Sequence, residues 1–280
     1  MTDGTTPGEA ALTGLLPHHA ATVRNLTRHL ATDPEVLALL LAGSVAHGFA
    51  TASSDVDVAL VVTPEALARR DAQDRLTVTL HPDSGVVTYE GGYVDGKYVT
   101  LDGLQQVAER GSDPARYAYV GARVLFSRVA GLPELLDRIT RYPTAERDAR
   151  VTSFTAQLLG WRWYFGQGVA KDDPYLRTAA LAKVVLFACR LVLAETSTLY
   201  PHHKWLLRVT ESVAHRPADL VDRLRGVLAE PTWPAVEALV SDLLAFYGID
   251  ERAADAVWPT HFLRDHENAW LTGRPSVDEA

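Results

Sequence analysis

The sequence predicts an α+β domain, a mixed sheet with flanking helices, over residues 1–130, followed by an all-α helical bundle over residues 131–280. Three observations predict it. Every strand-like run, whether alternating or continuously apolar, falls before residue 130. From Pro133 onward apolar residues recur only at helical spacing, punctuated by Pro174, Pro201, Pro217, Pro231 and Pro234. The 280 residues, 47% hydrophobic and 22% charged, supply two ordinary cores and exclude collagenous or disordered classes.

The first dozen residues, rich in Thr, Gly and Pro, predict a loose arm. Ala20–Leu30 then carries Val23, Leu26 and Leu30 on one helical stripe. Val36–Ala42 is an apolar run ending at Gly43-Ser44, as a buried strand opening into a tight turn would be. Val56, Val58, Leu60 and Val62 alternate with Asp55, Asp57, Ala59 and Val61, a second strand. Thr63-Pro64-Glu65 is a helix start with a cap and a first-position proline. Three more strand-like pieces follow, Leu76–Leu80, Val86–Tyr89 and Lys97–Leu101, divided by turn signals at Pro82–Gly85 and Asp95-Gly96. Helices at Asp102–Arg110 and Asp113–Val120 and a strand at Val124–Phe126 close the mixed half. In the second half, helical spacing marks Leu135–Thr140, Val151–Phe165, Leu176–Ala194, Trp205–Val213, Leu220–Leu228 and Val236–Tyr247.

The formal net charge of -8, from 35 acidic and 27 basic residues, argues against a protein built to grip nucleic-acid phosphates. It suits a small or cationic partner. The single cysteine, Cys189, excludes an intrachain disulfide and a cysteine-based zinc site. The beginning of the chain lacks a basic segment followed by an apolar run, and no uninterrupted apolar stretch approaches the ~20 residues of a membrane helix. A cytoplasmic protein without a membrane partner is expected.

The chemistry concentrates between Leu41 and Val62. A Gly43-Ser44 turn after a buried strand lets backbone approach an anion. Asp55 and Asp57, two apart on a strand, project from one face. Like charges that close stay ionised only with a cation between them, and Mg²⁺ bound through carboxylates and substrate phosphates meets that need. Two such ions, roughly 3.5–4 Å apart, would clamp a displacement at phosphorus. The frame Gly43-Ser44, Gly48, Ser54-Asp55-Val56-Asp57-Val58 resembles the signature of the DNA polymerase β superfamily of nucleotidyltransferases. The α/β-then-helices layout resembles its two-domain aminoglycoside nucleotidyltransferases.

That resemblance implies a nucleoside triphosphate, ATP or another, on Gly43, Ser44 and Ser54, two Mg²⁺ ions on Asp55 and Asp57, and a third carboxylate on a neighbouring strand. Asp95 is the first candidate, since Asp95-x-Lys97 leads into an apolar strand as the family's third element does. Asp95-Gly96 also reads as a hairpin turn. Glu90 and Asp102 are alternatives, although Glu90 reads as a solvated side chain and Asp102 as a helix N-cap. The family further implies a lysine of the helical domain over the triphosphate, here Lys204. Lys183 and Arg190, seven apart on one helix, either face the cleft or pair with buried acids. The acceptor would be a small hydroxyl-bearing molecule such as an aminoglycoside-like antibiotic. A protein or tRNA acceptor, or non-catalytic nucleotide binding, are the other readings. Trp161, Trp163, Tyr164 and Phe165 read as core or as a pocket wall. The pairs His18-His19 and His202-His203 are expected to point apart.

Overall fold

A computed structural model describes residues 9–273 and 276–278. The chain forms two compact units, one ending at Arg141 and the other beginning at Tyr142. The first is built from helices α1 (Glu9–Leu12) and α2 (Pro17–Leu30), strand β1 (Val36–Leu41), helix α3 (Gly43–His47), strand β2 (Val56–Val62), helix α4 (Pro64–Asp71), strands β3 (Thr77–Leu80) and β4 (Val94–Thr100), helices α5 (Leu101–Arg110) and α6 (Asp113–Tyr117), strand β5 (Arg123–Ser127) and helix α7 (Leu132–Ile139).

The five strands form one mixed sheet in the order β3-β4-β2-β1-β5. Only β2 and β4 run parallel; the other pairs are antiparallel. Both faces of the central strands are covered, and for that reason β1 is apolar throughout rather than alternating. Leu39 and Leu41 of β1 join Val56, Val58, Leu60 and Val62 of β2 in one core with Val23 and Leu26 of α2 and Ala66 of α4. Ala38, Leu40, Ala59 and Val61 face the opposite core with Leu104 of α5 and Leu132, Leu135, Leu136 and Ile139 of α7. Each such leucine contributes about 1.5–3 kcal/mol by leaving water. Helix α7 therefore belongs to the first unit, which extends past the residue-130 boundary read from the sequence.

Three segments differ from their sequence readings. Val86–Tyr89 is no strand; Val86 and Val87 are buried, and the segment bonds to α2 instead, through Asn25 to the Val86 carbonyl (3.3 Å) and Thr22 to the Thr88 amide (3.1 Å). Strand β4 begins three residues earlier than predicted, which places Asp95-Gly96 inside the strand. Gly96 is there for space: a Cβ would stand 2.8 Å from a Val78 methyl and 2.9 Å from a Leu60 methyl. The expected N-terminal arm lies outside the described residues up to residue 8; beyond it, Arg123 of β5 donates to the carbonyls of Ala11 (3.2 Å) and Thr13 (2.6 Å), holding α1 to the sheet.

The second unit is all-α: α8 (Arg147–Ala170), α9 (Pro174–Glu195), α10 (Leu206–Ser212), α11 (Leu220–Ala229), α12 (Trp233–Phe246) and α13 (Glu251–Phe262). Helix α8 packs along α9 and against α12 and α13. Among the described residues no helix is long and apolar enough to cross a membrane. A mixed sheet with flanking helices followed by a helical unit is the fold class the sequence predicts.

Candidate active site

The β1–α3 turn and the β2 strand are locked together. The Ala42 amide donates to the Asp57 carbonyl (2.9 Å), which sets Gly43 beside the Asp57 side chain. Gly43 has φ +62, and a Cβ there would lie 1.8 Å from Asp57 Oδ2. Only glycine combines that dihedral with that approach. Ser44 follows, 4% exposed, and its hydroxyl has no hydrogen-bond partner among the described residues. A buried hydroxyl left unpaired costs about 1–3 kcal/mol, a cost that a hydrogen bond to a ligand would offset.

Asp57 stands opposite Asp95 in the parallel β2–β4 register. Directly opposed residues share a face, and Asp55 lies just ahead of β2, two positions before Asp57 and bonded by Tyr93. The sheet thus gathers three carboxylates at one end of two neighbouring strands. Asp57 and Asp95 extend the side of the sheet that carries Ala59 and Val61. Lys97, opposite Ala59, lies on the same face. The atoms crowded around its ammonium lower its pKa, and Asp57 and Asp95 oppose that lowering.

The segment before Asp55 is held from three sides. The Ser54 carbonyl accepts from His19 Nε2 (2.9 Å) and from the Tyr89 hydroxyl (2.6 Å), and the Ala52 carbonyl accepts from His18 Nε2 (3.0 Å). The Ser54 hydroxyl accepts from the Thr51 amide (2.9 Å), so it builds the turn. His18 and His19 do not point apart: their rings meet at 4.2 Å and both serve the same loop. Burial lowers the pKa of His19, keeping the ring neutral. The Tyr93 hydroxyl donates to Asp55, and that bond raises the tyrosine's pKa. On α3, His47 stacks between Phe49 (5.5 Å) and Tyr117 (5.1 Å), and burial lowers its pKa too. His19, Tyr89 and Tyr93 escape a sequence reading, since their nearness to the Asp55 segment exists only after folding.

The remaining candidates stand elsewhere. Glu90 is exposed in a turn ahead of β4. Asp102 lies beyond the far end of β4, more than roughly 17 Å of strand from Asp95. It is not the N-cap either: Thr100 caps α5 by accepting from the Gly103 amide (3.0 Å), and Asp102 accepts from Gln106 (2.6 Å). In the second unit, Arg190 is 1% exposed and donates to the Val277 carbonyl, its guanidinium over the rings of Phe154 (4.2 Å) and Tyr200 (4.7 Å). Lys183 pairs with Asp278 (2.9 Å). Lys183 therefore takes the acid-pairing alternative, whereas Arg190 bonds a backbone carbonyl and two aromatic rings; together they tie Val277 and Asp278 to α9. Lys204 is exposed, its ammonium 5.4 Å from the Trp205 ring. Of the aromatic run, Phe165 is core, whereas Trp163 is half exposed and lines a cavity of about 420 Å³ with Gln167 and Trp233.

Among the described residues, no group of three or more His, Cys, Asp or Glu side chains stands close enough to hold an ion. Asp55 is turned to Tyr93 and Asp57 lies against Gly43. In kind the donors still fit a hard divalent cation, being all carboxylate oxygens at one sheet end with a partnerless hydroxyl nearby.

No family model matches the chain, and no curated protein matches it. Among solved structures, the crystal structure of a nucleotidyltransferase-like protein from Exiguobacterium sibiricum 255-15 aligns with a TM-score of 0.44 and 15% identity, over 82% of this chain and 77% of that one. A likeness of that size assigns no chemistry.

Proposed function

We propose that the chain is a metal-dependent nucleotidyltransferase that moves a nucleoside monophosphate, AMP from ATP, onto a hydroxyl of a small molecule such as an aminoglycoside-like antibiotic, releasing pyrophosphate. One observation carries the reading: the buried, unpartnered Ser44 hydroxyl on the Gly43 turn, beside Asp55, Asp57 and Asp95 on adjoining strands. Ser44 donates to a β- or γ-phosphate oxygen, and the turn around Gly43 leaves room for the phosphates. Asp55, Asp57 and Asp95 would hold Mg²⁺, which supplies charge neutralisation for the triphosphate. Asp95 takes the proton of the acceptor hydroxyl. The freed oxygen forms a bond to the α-phosphorus, the bond from that phosphorus to the β,γ-pyrophosphate breaks, and the pyrophosphate leaves with the electron pair. His19, Tyr89 and Tyr93 keep the Asp55 segment from shifting. Catalysis of this kind is positioning plus charge stabilisation.

Incubation with α-labelled ATP, Mg²⁺ and a panel of aminoglycosides tests it. Label on a small-molecule product, abolished by EDTA and by Asp57→Asn with the fold intact, is expected. Asp57→Asn that turns over normally overturns the proposal.

A further inference from the structure

A polar cavity lies on the other side of β4 from Asp95. Strand alternation sends Asp95 and Lys97 to one face and Tyr98 to the opposite one. There Tyr98 joins Glu35, Arg69, Arg70, Arg75 and Gln73 around a space of about 570 Å³. Such a volume falls within the roughly 300–1,000 Å³ of small-molecule sites.

The arginines are brought together by local structure. Helix α4 ends in a Schellman motif: the Arg75 amide donates to the Arg70 carbonyl (2.8 Å) and the Asp74 amide to that of Asp71 (2.9 Å), with Asp74 at φ +54. This turn folds Arg75 back beside Arg70, in a left-handed conformation that a non-glycine residue adopts at a cost. Glu35 gives one carboxylate oxygen to Arg69 and the other to Arg70 (3.4 Å). Arg70 is further fixed by the Ala66 carbonyl (3.0 Å) and by the Tyr98 ring, 4.4 Å from its guanidinium. Arg75 shows no side-chain partner among the described residues. Three guanidinium groups and one carboxylate thus line the cavity, leaving two net positive charges there on a chain whose net charge is -8. Apart from Glu35, its charged groups are all hydrogen-bond donors, and the Gln73 amide and the hydroxyls of Thr77 and Thr79 at the open edge of the sheet can each donate or accept.

We propose that this cavity is a binding site for a phosphorylated small molecule. Arg69 and Arg75 take the phosphate, Arg70 is the preformed wall, and Gln73, Thr77 and Thr79 bond the polar remainder of the ligand. Guanidinium groups suit phosphate by their planar, multidentate donor geometry. A cavity this large holds more than a bare phosphate.

Calorimetric titration of the full chain in EDTA and low salt, with inorganic phosphate and with ribose 5-phosphate as probes, tests the proposal. Saturable binding of one molecule is expected, tighter for ribose 5-phosphate than for phosphate. Arg75→Gln and Arg69→Gln should each weaken it about tenfold, as loss of one charge-assisted contact does. Ser44→Ala should leave it unchanged, which separates this cavity from the acid face. Absence of saturable binding, or binding that survives the arginine changes, or binding lost in Ser44→Ala, overturns the inference.

Discussion

Ser44→Ala separates stability from function at one atom. In the protein as folded, Ser44 Oγ is out of water and unpaired. Removing it deletes an unmet donor and leaves the methylene-sized remainder, which alanine fills. With about 1–3 kcal/mol as the cost of a buried unsatisfied hydroxyl, the variant should gain about 1–2 kcal/mol, part of the cost being recovered through relaxation. Binding of the triphosphate should move the other way. A hydrogen bond to a charged oxygen contributes about 1.5–3 kcal/mol, so the affinity for ATP falls roughly 10- to 100-fold. Urea denaturation of both proteins reads the first quantity, and ATP titration with Mg²⁺ reads the second. A Ser44→Ala protein that is destabilised by 1 kcal/mol or more, or one that binds ATP as the parent does, refutes the reasoning.

Other perturbations probe neighbouring claims. Gly43→Ala places a methyl on Asp57 and a side chain at φ +62; a stability loss of about 1–3 kcal/mol together with loss of nucleotide transfer is expected, checked by thermal denaturation and the labelled-ATP assay. Arg190→Ala removes the contacts to Phe154, Tyr200 and Val277 and opens a cavity in the helical unit; denaturant unfolding should show a loss of about 3–5 kcal/mol. Cys189 is fully buried and its pKa is pushed up to about 12 by that burial; the native protein should resist Ellman's reagent and react only as it unfolds. His19 and His47 have pKa values lowered from 6.5 by burial. Between pH 6.5 and those lowered values the unfolded chain binds protons that the folded chain does not, so stability falls as pH drops through that window. Urea midpoints measured from pH 8 to pH 5 should show this decline, and His47→Phe should make it shallower.

The central strands were legible because burial on both faces demands apolar residues at every position, as in Val36–Leu41. The Gly43-Ser44 turn and the Asp55–Asp57 pair were legible for a related reason: a short local frame fixes which side chains share a face. Strand β4 was half legible. Asp95-Gly96 carries a strong turn signal, and only the close approach of Val78 and Leu60 shows that the glycine is there for space. Val86–Tyr89 has strand composition, but its backbone bonds are taken by α2. Lys183 and Arg190 were placed on one helix face correctly, yet what they touch depends on Val277 and Asp278, some ninety residues away in sequence.

By itself, then, the sequence determined the fold class, the glycine–serine turn and the first two acids, because these depend on local periodicity and on steric limits within a few residues. Tertiary structure decided the rest. It brought Asp95 opposite Asp57 through a parallel register that no short segment encodes. It closed His19 and Tyr89 on the Ser54 carbonyl, left the Ser44 hydroxyl without a partner among the described residues, and lined one cavity with three arginines and a glutamate. Each of these is a meeting of residues distant in the chain or a matter of what burial leaves unpaired. Such properties belong to the packed molecule rather than to any stretch of its sequence.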